Sequence, residues 1–151
     1  MSDGDLQPGK PKFDLEERLL DYATRIIRLA ESLPKTRAGN HVAGQLLRSG
    51  TSPLSNHAEA QAAESRPDFV HKMRICLKEL RESRRWLLLC QRVPLVRRPS
   101  NLDPLIGETE ELISIFVASI RTATKRMASA KSGSSISKTK NAEHPTSQPE
   151  R

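Results

Sequence analysis

The few side chains able to do covalent or metal chemistry are spaced poorly for it. Cys76 and Cys90 lie 14 residues apart on one predicted helix. That separation is about 21 Å, which is too far for a disulfide bond within one chain. We therefore expect both cysteines to pack in a core. A di-iron bundle needs paired Glu-x-x-His motifs, whereas this sequence offers only His57-Ala58-Glu59 and Asp68-x-x-His71.

Motifs of other enzyme classes are missing as well. The sequence has no phosphate-binding glycine loop, dinucleotide glycine motif, nucleophile elbow or zinc-helix motif. It therefore predicts no catalytic residue, no metal and no cofactor, and we expect a protein that is not an enzyme.

Basic side chains outnumber acidic ones, and the excess belongs to one segment. The chain of 151 residues has 25 Lys and Arg against 18 Asp and Glu, for a formal net charge of +7. Residues 66–98 hold ten basic and three acidic side chains, and the other segments together are neutral. The excess therefore lies on the third predicted helix and the loop that follows it.

The cations of this helix recur at heptad-related positions opposite its apolar seam, on a face that His71 shares. We call five of them the basic ridge: Arg74, Lys78, Arg81, Arg85 and Arg92. A row of cations suits phosphate groups, which bind through charge and counterion release. Aromatic residues are only 3% of the chain, which favours backbone contacts over base stacking. The alternative is a solvated face, partly paired with Asp68, Glu79 and Glu82.

A polar pair on the second predicted helix has two interpretations. Asn56 and Glu59 are three residues apart and share a face. If they point inward they need partners, for which Arg48 and Lys72 are candidates. We favour a structural polar network that fixes the helix register over a ligand site.

Helical periodicity places these residues. Apolar residues at steps of four and three predict a first helix from Leu15 to Leu33, which Asp14 caps. A weaker second helix covers about 38–63, and Pro53 in its middle predicts a kink or two short helices. Ser65 and Pro67 start a third helix, which ends before two further prolines. A fourth begins near Asn101 and its apolar stripe ends at Met127.

Four helices with short loops predict an all-α fold, an antiparallel up-down four-helix bundle over residues 14–127. Residues 1–13 are expected to form a flexible arm. Residues 128–151 have almost no apolar content and are expected to form a disordered basic tail. Three lysines there are expected to assist the basic ridge: Lys131, Lys138 and Lys140.

Several apolar residues exceed what one small bundle needs, and we expect them to support self-association. They are Leu20, Ile27, Trp86, Leu87, Leu88, Leu89, Leu105, Leu112, Ile115 and Val117. The alternative is that a wide seam and the helix ends absorb them.

No apolar stretch is long enough to cross a bilayer, the start lacks a secretory pattern, and two cysteines suit a reducing compartment. We expect a cytoplasmic protein without a membrane partner.

Several strings resemble one bacterial family. They are residues 48–52 (RSGTS), Asn56, residues 59–65 (EAQAAES), 68–75 (DFVHKMRI), 77–83 (LKELRES) and Trp86-Leu87. In combination they resemble the four-helix-bundle proteins encoded in 23S ribosomal RNA intervening sequences, over about residues 14–126. The sequence departs from that pattern at residues 53–55 and at His57, where a Tyr is common.

The resemblance implies an up-down bundle that assembles as a ring-like homopentamer, and it brings no catalytic residues. Relatives include accessory proteins of diversity-generating retroelements, which look like basic pentamers that bind nucleic acid and a reverse transcriptase. We therefore expect an oligomeric bundle that binds RNA, DNA or a nucleic-acid–protein complex through the basic ridge. The alternative is a scaffold or accessory subunit that docks an acidic protein partner.

Overall fold

A computed structural model describes residues 14–140, with the side chains of 14–133. Four α-helices make up the fold: α1 (Leu15–Ser32), α2 (Arg37–Gln61), α3 (Arg66–Arg92) and α4 (Asp103–Lys140). A short 3-10 turn, Pro99–Leu102, precedes α4. The predicted all-α four-helix bundle is confirmed. The predicted arm, 1–13, and residues 141–151 lie outside the described residues.

The helix starts follow their capping residues. The Asp14 carboxylate accepts a hydrogen bond from the backbone N–H of Glu17, and the Ser65 hydroxyl accepts one from Asp68. Thr36 caps α2 in the same way through the N–H of Gly39. Each cap satisfies a backbone donor that the first helical turn leaves unpaired.

Helix contacts follow the chain order. α2 packs between α1 and α3, and α4 packs against α3 and, less closely, against α1. In the described part of the chain the backbones of α1 and α3 do not come close to each other, so these helices occupy diagonal corners. The core lies between the four helices and includes Tyr22, Leu46, Met73 and Phe116.

Buried hydroxyl groups join the helices in pairs. Tyr22 and Thr109 are 2.8 Å apart between α1 and α4, and the Ser83 hydroxyl donates to Ser49 at 2.8 Å between α3 and α2. Burial raises the pKa of Tyr22 to about 12. These pairs supply the buried polar contacts that fix the helix register.

Of the two outcomes predicted at Pro53, a kink or two short helices, the second is wrong, because α2 runs unbroken from Arg37 to Gln61. Pro53 is fully buried, and its carbonyl oxygen accepts a hydrogen bond from the Cys76 thiol at 3.6 Å. A proline costs about 3 kcal/mol in the interior of an isolated helix, and burial in the bundle stabilises α2 against that cost.

α4 is longer than its apolar stripe. The stripe ends at Met127, whereas the helix continues to Lys140. Residues 128–133 are exposed, and the next proline stands only at position 145. Within the described residues, no helix is both long and apolar enough to cross a bilayer.

Candidate nucleic-acid interface

The basic ridge lies on the outer face of α3. All five of its side chains are exposed: Arg74, Lys78, Arg81, Arg85 and Arg92. Within residues 14–133, none of them forms an ion pair with an acidic side chain. From first to last member the ridge is about 27 Å long.

Two acidic residues of α3 that could have neutralised the ridge, Glu79 and Glu82, form ion pairs with a residue of α2 instead. Arg48 on α2 pairs with Glu79 at 3.5 Å and with Glu82 at 2.5 Å. Glu79 is 7% exposed, so its carboxylate faces α2 and not the ridge. The face is solvated, as the alternative from sequence has it, but its partial pairing with Asp68, Glu79 and Glu82 is not found among the described residues.

Two other cations of α3 serve as links between helices. Lys72 pairs with Glu59 on α2 at 2.7 Å, and Arg84 pairs with Glu110 on α4 at 3.0 Å. The contact with Glu59 raises the pKa of Lys72. These two cations lie on the flanks of α3, and the ridge lies between them.

A shallow groove between α3 and α4 adjoins the ridge. Arg81, Arg84 and Arg85 line one wall, with Glu110, Ile113 and Ser114 opposite. Arg84 is held by Glu110, which leaves the other two arginines facing the groove. The exposed cationic surface thus continues from the ridge into this groove.

The predicted inward network of Asn56 and Glu59 is wrong. Glu59 is exposed and pairs with Lys72, and Asn56 donates to the carbonyl and hydroxyl oxygens of Ser52 on its own helix. Lys72 is thus a partner of the pair as expected, whereas Arg48 binds acids of α3. The residues that do fix the register, Ser49 and Ser83, give no signal in one sequence because they lie 34 positions apart.

The surplus apolar residues divide into three groups: buried, half-buried and exposed. Leu87, Leu105 and Leu112 are buried, so the bundle absorbs them, and Trp86, Ile115 and Val117 are half-buried. The exposed ones are Leu20 (47%), Ile27 (43%), Leu88 (37%) and Leu89 (40%), together with Val93 (55%), which sequence reasoning did not select.

Both cysteines are free and buried, as predicted. Burial raises the pKa of Cys76 to about 12 and that of Cys90 to about 11. Such thiols are poor nucleophiles at neutral pH. Among the described side chains, no group of three or more His, Cys, Asp or Glu is placed to hold a metal ion.

The predicted tail lysines are only partly described. Lys131 is exposed on α4 beyond the apolar stripe. The side chains of Lys138 and Lys140 lie outside the described residues, so their expected assistance to the ridge stays a prediction.

Fold and surface together define the class of protein: an antiparallel four-helix bundle with an unpaired cationic face on one helix. The chain belongs to the 23S rRNA-intervening sequence protein family, whose model matches residues 12–118.

A solved relative supports this placement. The crystal structure of a protein of unknown function from the S23 ribosomal protein family of Bacteroides thetaiotaomicron is similar, with 32% sequence identity and a TM-score of 0.65. The match covers 70% of this chain and 97% of the other. Comparison with curated proteins finds no match.

Proposed function

We propose that this protein is a non-enzymatic, oligomeric helical bundle of the cytoplasm that binds nucleic acid through the basic ridge. The ligand is RNA, DNA or a nucleic-acid–protein complex. One observation carries the proposal: the ridge cations are exposed and unpaired within the described residues, while nearby acids on α3 bind Arg48.

The chemistry of the ridge favours phosphate over bases. Lys and Arg side chains bind phosphate oxygens and release counterions, which needs no particular base sequence. The ridge carries no aromatic ring, and stacking rings are what single-strand readers use. Binding should therefore tolerate any sequence.

Charge reversal tests the ridge. The variant Arg74→Glu/Lys78→Glu/Arg81→Glu removes three phosphate contacts and adds repulsion, so we expect its affinity for a labelled duplex or RNA hairpin to fall about 100-fold or more. Fluorescence anisotropy in 50 mM salt measures the change.

A control with the same change in net charge separates the ridge from the overall charge. Arg28→Glu/Arg121→Glu/Lys125→Glu alters three exposed cations outside the ridge. We expect this variant to lose far less affinity. Equal losses in both variants, or a wild-type protein that binds neither probe, would refute the proposal.

Self-association is part of the proposal. Four large apolar side chains are exposed: Leu20, Ile27, Leu88 and Leu89. Exposed apolar surface of this kind usually marks an interface. The resemblance stated above makes a homopentamer the expected assembly, which would repeat the ridge and raise avidity. Light scattering coupled to gel filtration should give a mass several times 16.9 kDa, and a mass of one chain would contradict it.

A second candidate function is the docking of an acidic protein partner. It is favoured by Leu88 and Leu89, which lie exposed between Arg85 and Arg92 and offer apolar contact that nucleic acid does not use. If the family resemblance extends to retroelement accessory proteins, a reverse transcriptase is one such partner. Competition distinguishes the two, because generic duplex should not displace a partner that is held through the leucines.

A further inference from the structure

The C-terminal part of α3 combines apolar and cationic side chains on one exposed surface. We call this surface the α3 patch: Arg85, Leu88, Leu89, Arg92 and Val93. The two leucines and Val93 are 37–55% exposed, and an arginine stands before and after the leucines, one heptad apart. A helix surface of this kind is typical of an interface with an acidic, apolar counterpart.

The exposed side of α1 has the complementary composition. We call it the acidic face: Glu16, Glu17, Leu20, Ile27 and Glu31. All five are exposed, with the two apolar residues one heptad apart and carboxylates at both ends. Residues 14–33 carry five acidic and three basic side chains.

Beside the acidic face, α1 and α2 form an apolar groove. Leu20, Leu54 and Ala58 line it together with Thr51, and Glu16 and Glu17 stand at its rim. The groove is open in the described part of the chain and can receive side chains from another helix. Its apolar lining can contact the leucines of the α3 patch, and its acidic side chains can pair with the arginines that flank those leucines.

We propose that the α3 patch of one copy occupies the acidic face and adjoining groove of a second copy. This inference rests on the proposed self-association and assigns the surfaces that carry it. A second copy is the occupant because both halves of the match stand on the same chain and carry opposite charge.

The positions of the two surfaces fix the kind of assembly. α1 and α3 occupy diagonal corners of the bundle, and each surface lies on the outer side of its helix. One copy can therefore hold a neighbour on each side at once. Such a contact is heterologous, and repeated copies form a closed ring or a filament. Arg74, Lys78 and Arg81 lie outside the α3 patch and stay available to a polyanion.

Two double variants test the assignment. Leu20→Gln/Ile27→Gln removes the apolar part of the acidic face, and Leu88→Gln/Leu89→Gln removes that of the α3 patch. All four sites are exposed, and Gln retains helix propensity. Each variant alone should associate about 100-fold more weakly and give the mass of one chain by light scattering.

Mixing the two variants is the decisive measurement. Each retains the surface that the other lacks, so an equimolar mixture forms one intact contact and should give a mass of two chains that grows no further. A pairing of α1 with α1 would leave the Leu88→Gln/Leu89→Gln variant at the wild-type mass, which overturns the assignment. A mixture that stays monomeric, with native circular dichroism, overturns it too.

The outcome is distinguishable from failure of the proposed function. A monomeric wild-type protein would refute self-association as a whole. A wild-type oligomer whose double variants keep its mass would refute only this pairing of surfaces. Nucleic-acid binding is read separately, through the Arg74, Lys78 and Arg81 variant, whose residues lie outside both surfaces.

Discussion

Among the histidines that the structure describes, only His57 is buried in the bundle. Its ring edge meets Phe116 of α4 at a centroid distance of 6.1 Å, and its Nε2 lies 3.3 Å from the Gln61 amide. Its Nδ1 has no hydrogen-bond partner among the described residues. Burial lowers the pKa of His57, although Glu16 and Asp14 on α1 act in the opposite direction. The folded bundle therefore favours the neutral ring.

This burial predicts a pH-dependent stability. Below the ordinary histidine pKa of about 6.5, the unfolded chain binds a proton that the folded chain resists. The free energy of unfolding should thus decrease as the pH falls from 7 toward 5. The variant His57→Phe, which cannot titrate, should lose part of this dependence in urea unfolding curves.

His71 provides the matched control for that measurement. It is exposed on α3, so His71→Gln should keep the wild-type dependence on pH. If His57→Phe and His71→Gln show the same slope as the wild type, the buried ring does not couple protonation to folding.

At the residue scale, sequence located the ridge cations but not the buried polar contacts. Regular spacing opposite an apolar seam is enough to place Arg74 and Arg81 on an outer face. Whether an arginine forms an ion pair depends on the side chains of neighbouring helices, which one sequence does not show. Arg48, a candidate partner of Glu59 from sequence, binds Glu79 and Glu82 instead. The missed Ser49–Ser83 contact has the same cause.

At the scale of elements, α1 and α2 lie close together at Gly50. A Cβ built there would lie 2.6 Å from Cγ2 of Ile26, closer than two such atoms can stand. At Gly44 on the same helix, a Cβ would meet nothing within 4 Å. Substitution by alanine therefore tests close helix packing at Gly50 and helix propensity alone at Gly44.

The two positions predict opposite effects on stability. Gly50→Ala should reduce the free energy of unfolding by about 1–3 kcal/mol, because Ile26 or the helices must shift. Gly44→Ala should increase it by about 0.5–1 kcal/mol through helix propensity alone. Urea denaturation measures both, and stabilisation by both substitutions would contradict the close contact.

Two element boundaries show where local rules failed. Pro53 indicates a break in an isolated helix, but in the bundle it is buried against α3 and α2 is continuous. The end of the apolar stripe at Met127 marks the end of the packed seam and not that of α4, which continues to Lys140. The periodic spacing of apolar residues shows which part of a helix is buried, and the helix itself can extend beyond that part.

At the scale of the whole molecule, ionic strength should control the affinity for nucleic acid. Arg74, Lys78 and Arg81 lie outside the α3 patch, so with three phosphate contacts the slope of log affinity against log salt for duplex DNA should be about −2.7. Affinity should then fall about 40-fold between 50 and 200 mM salt. The variant that reverses these three charges should lose most of this dependence on salt.

Comparing duplexes of unrelated sequence completes this measurement. Equal affinities are expected, because contacts with phosphate carry no base information. A strong preference for one sequence, or a slope near zero, would mean that the ridge does not bind through phosphate groups.

The sequence by itself determined the four helices, the starts of α1 at Asp14 and of α3 at Ser65, the local charge excess and the outward direction of the ridge. These follow from spacing along one helix, where 3.6 residues make a turn. Only the tertiary structure decided which acidic residues pair with other helices and that Pro53 lies within a continuous helix. It also decided that Leu87, Leu105 and Leu112 are buried while Leu88 and Leu89 are exposed. Those outcomes depend on contacts between residues far apart in the chain, which one sequence does not encode as a local pattern.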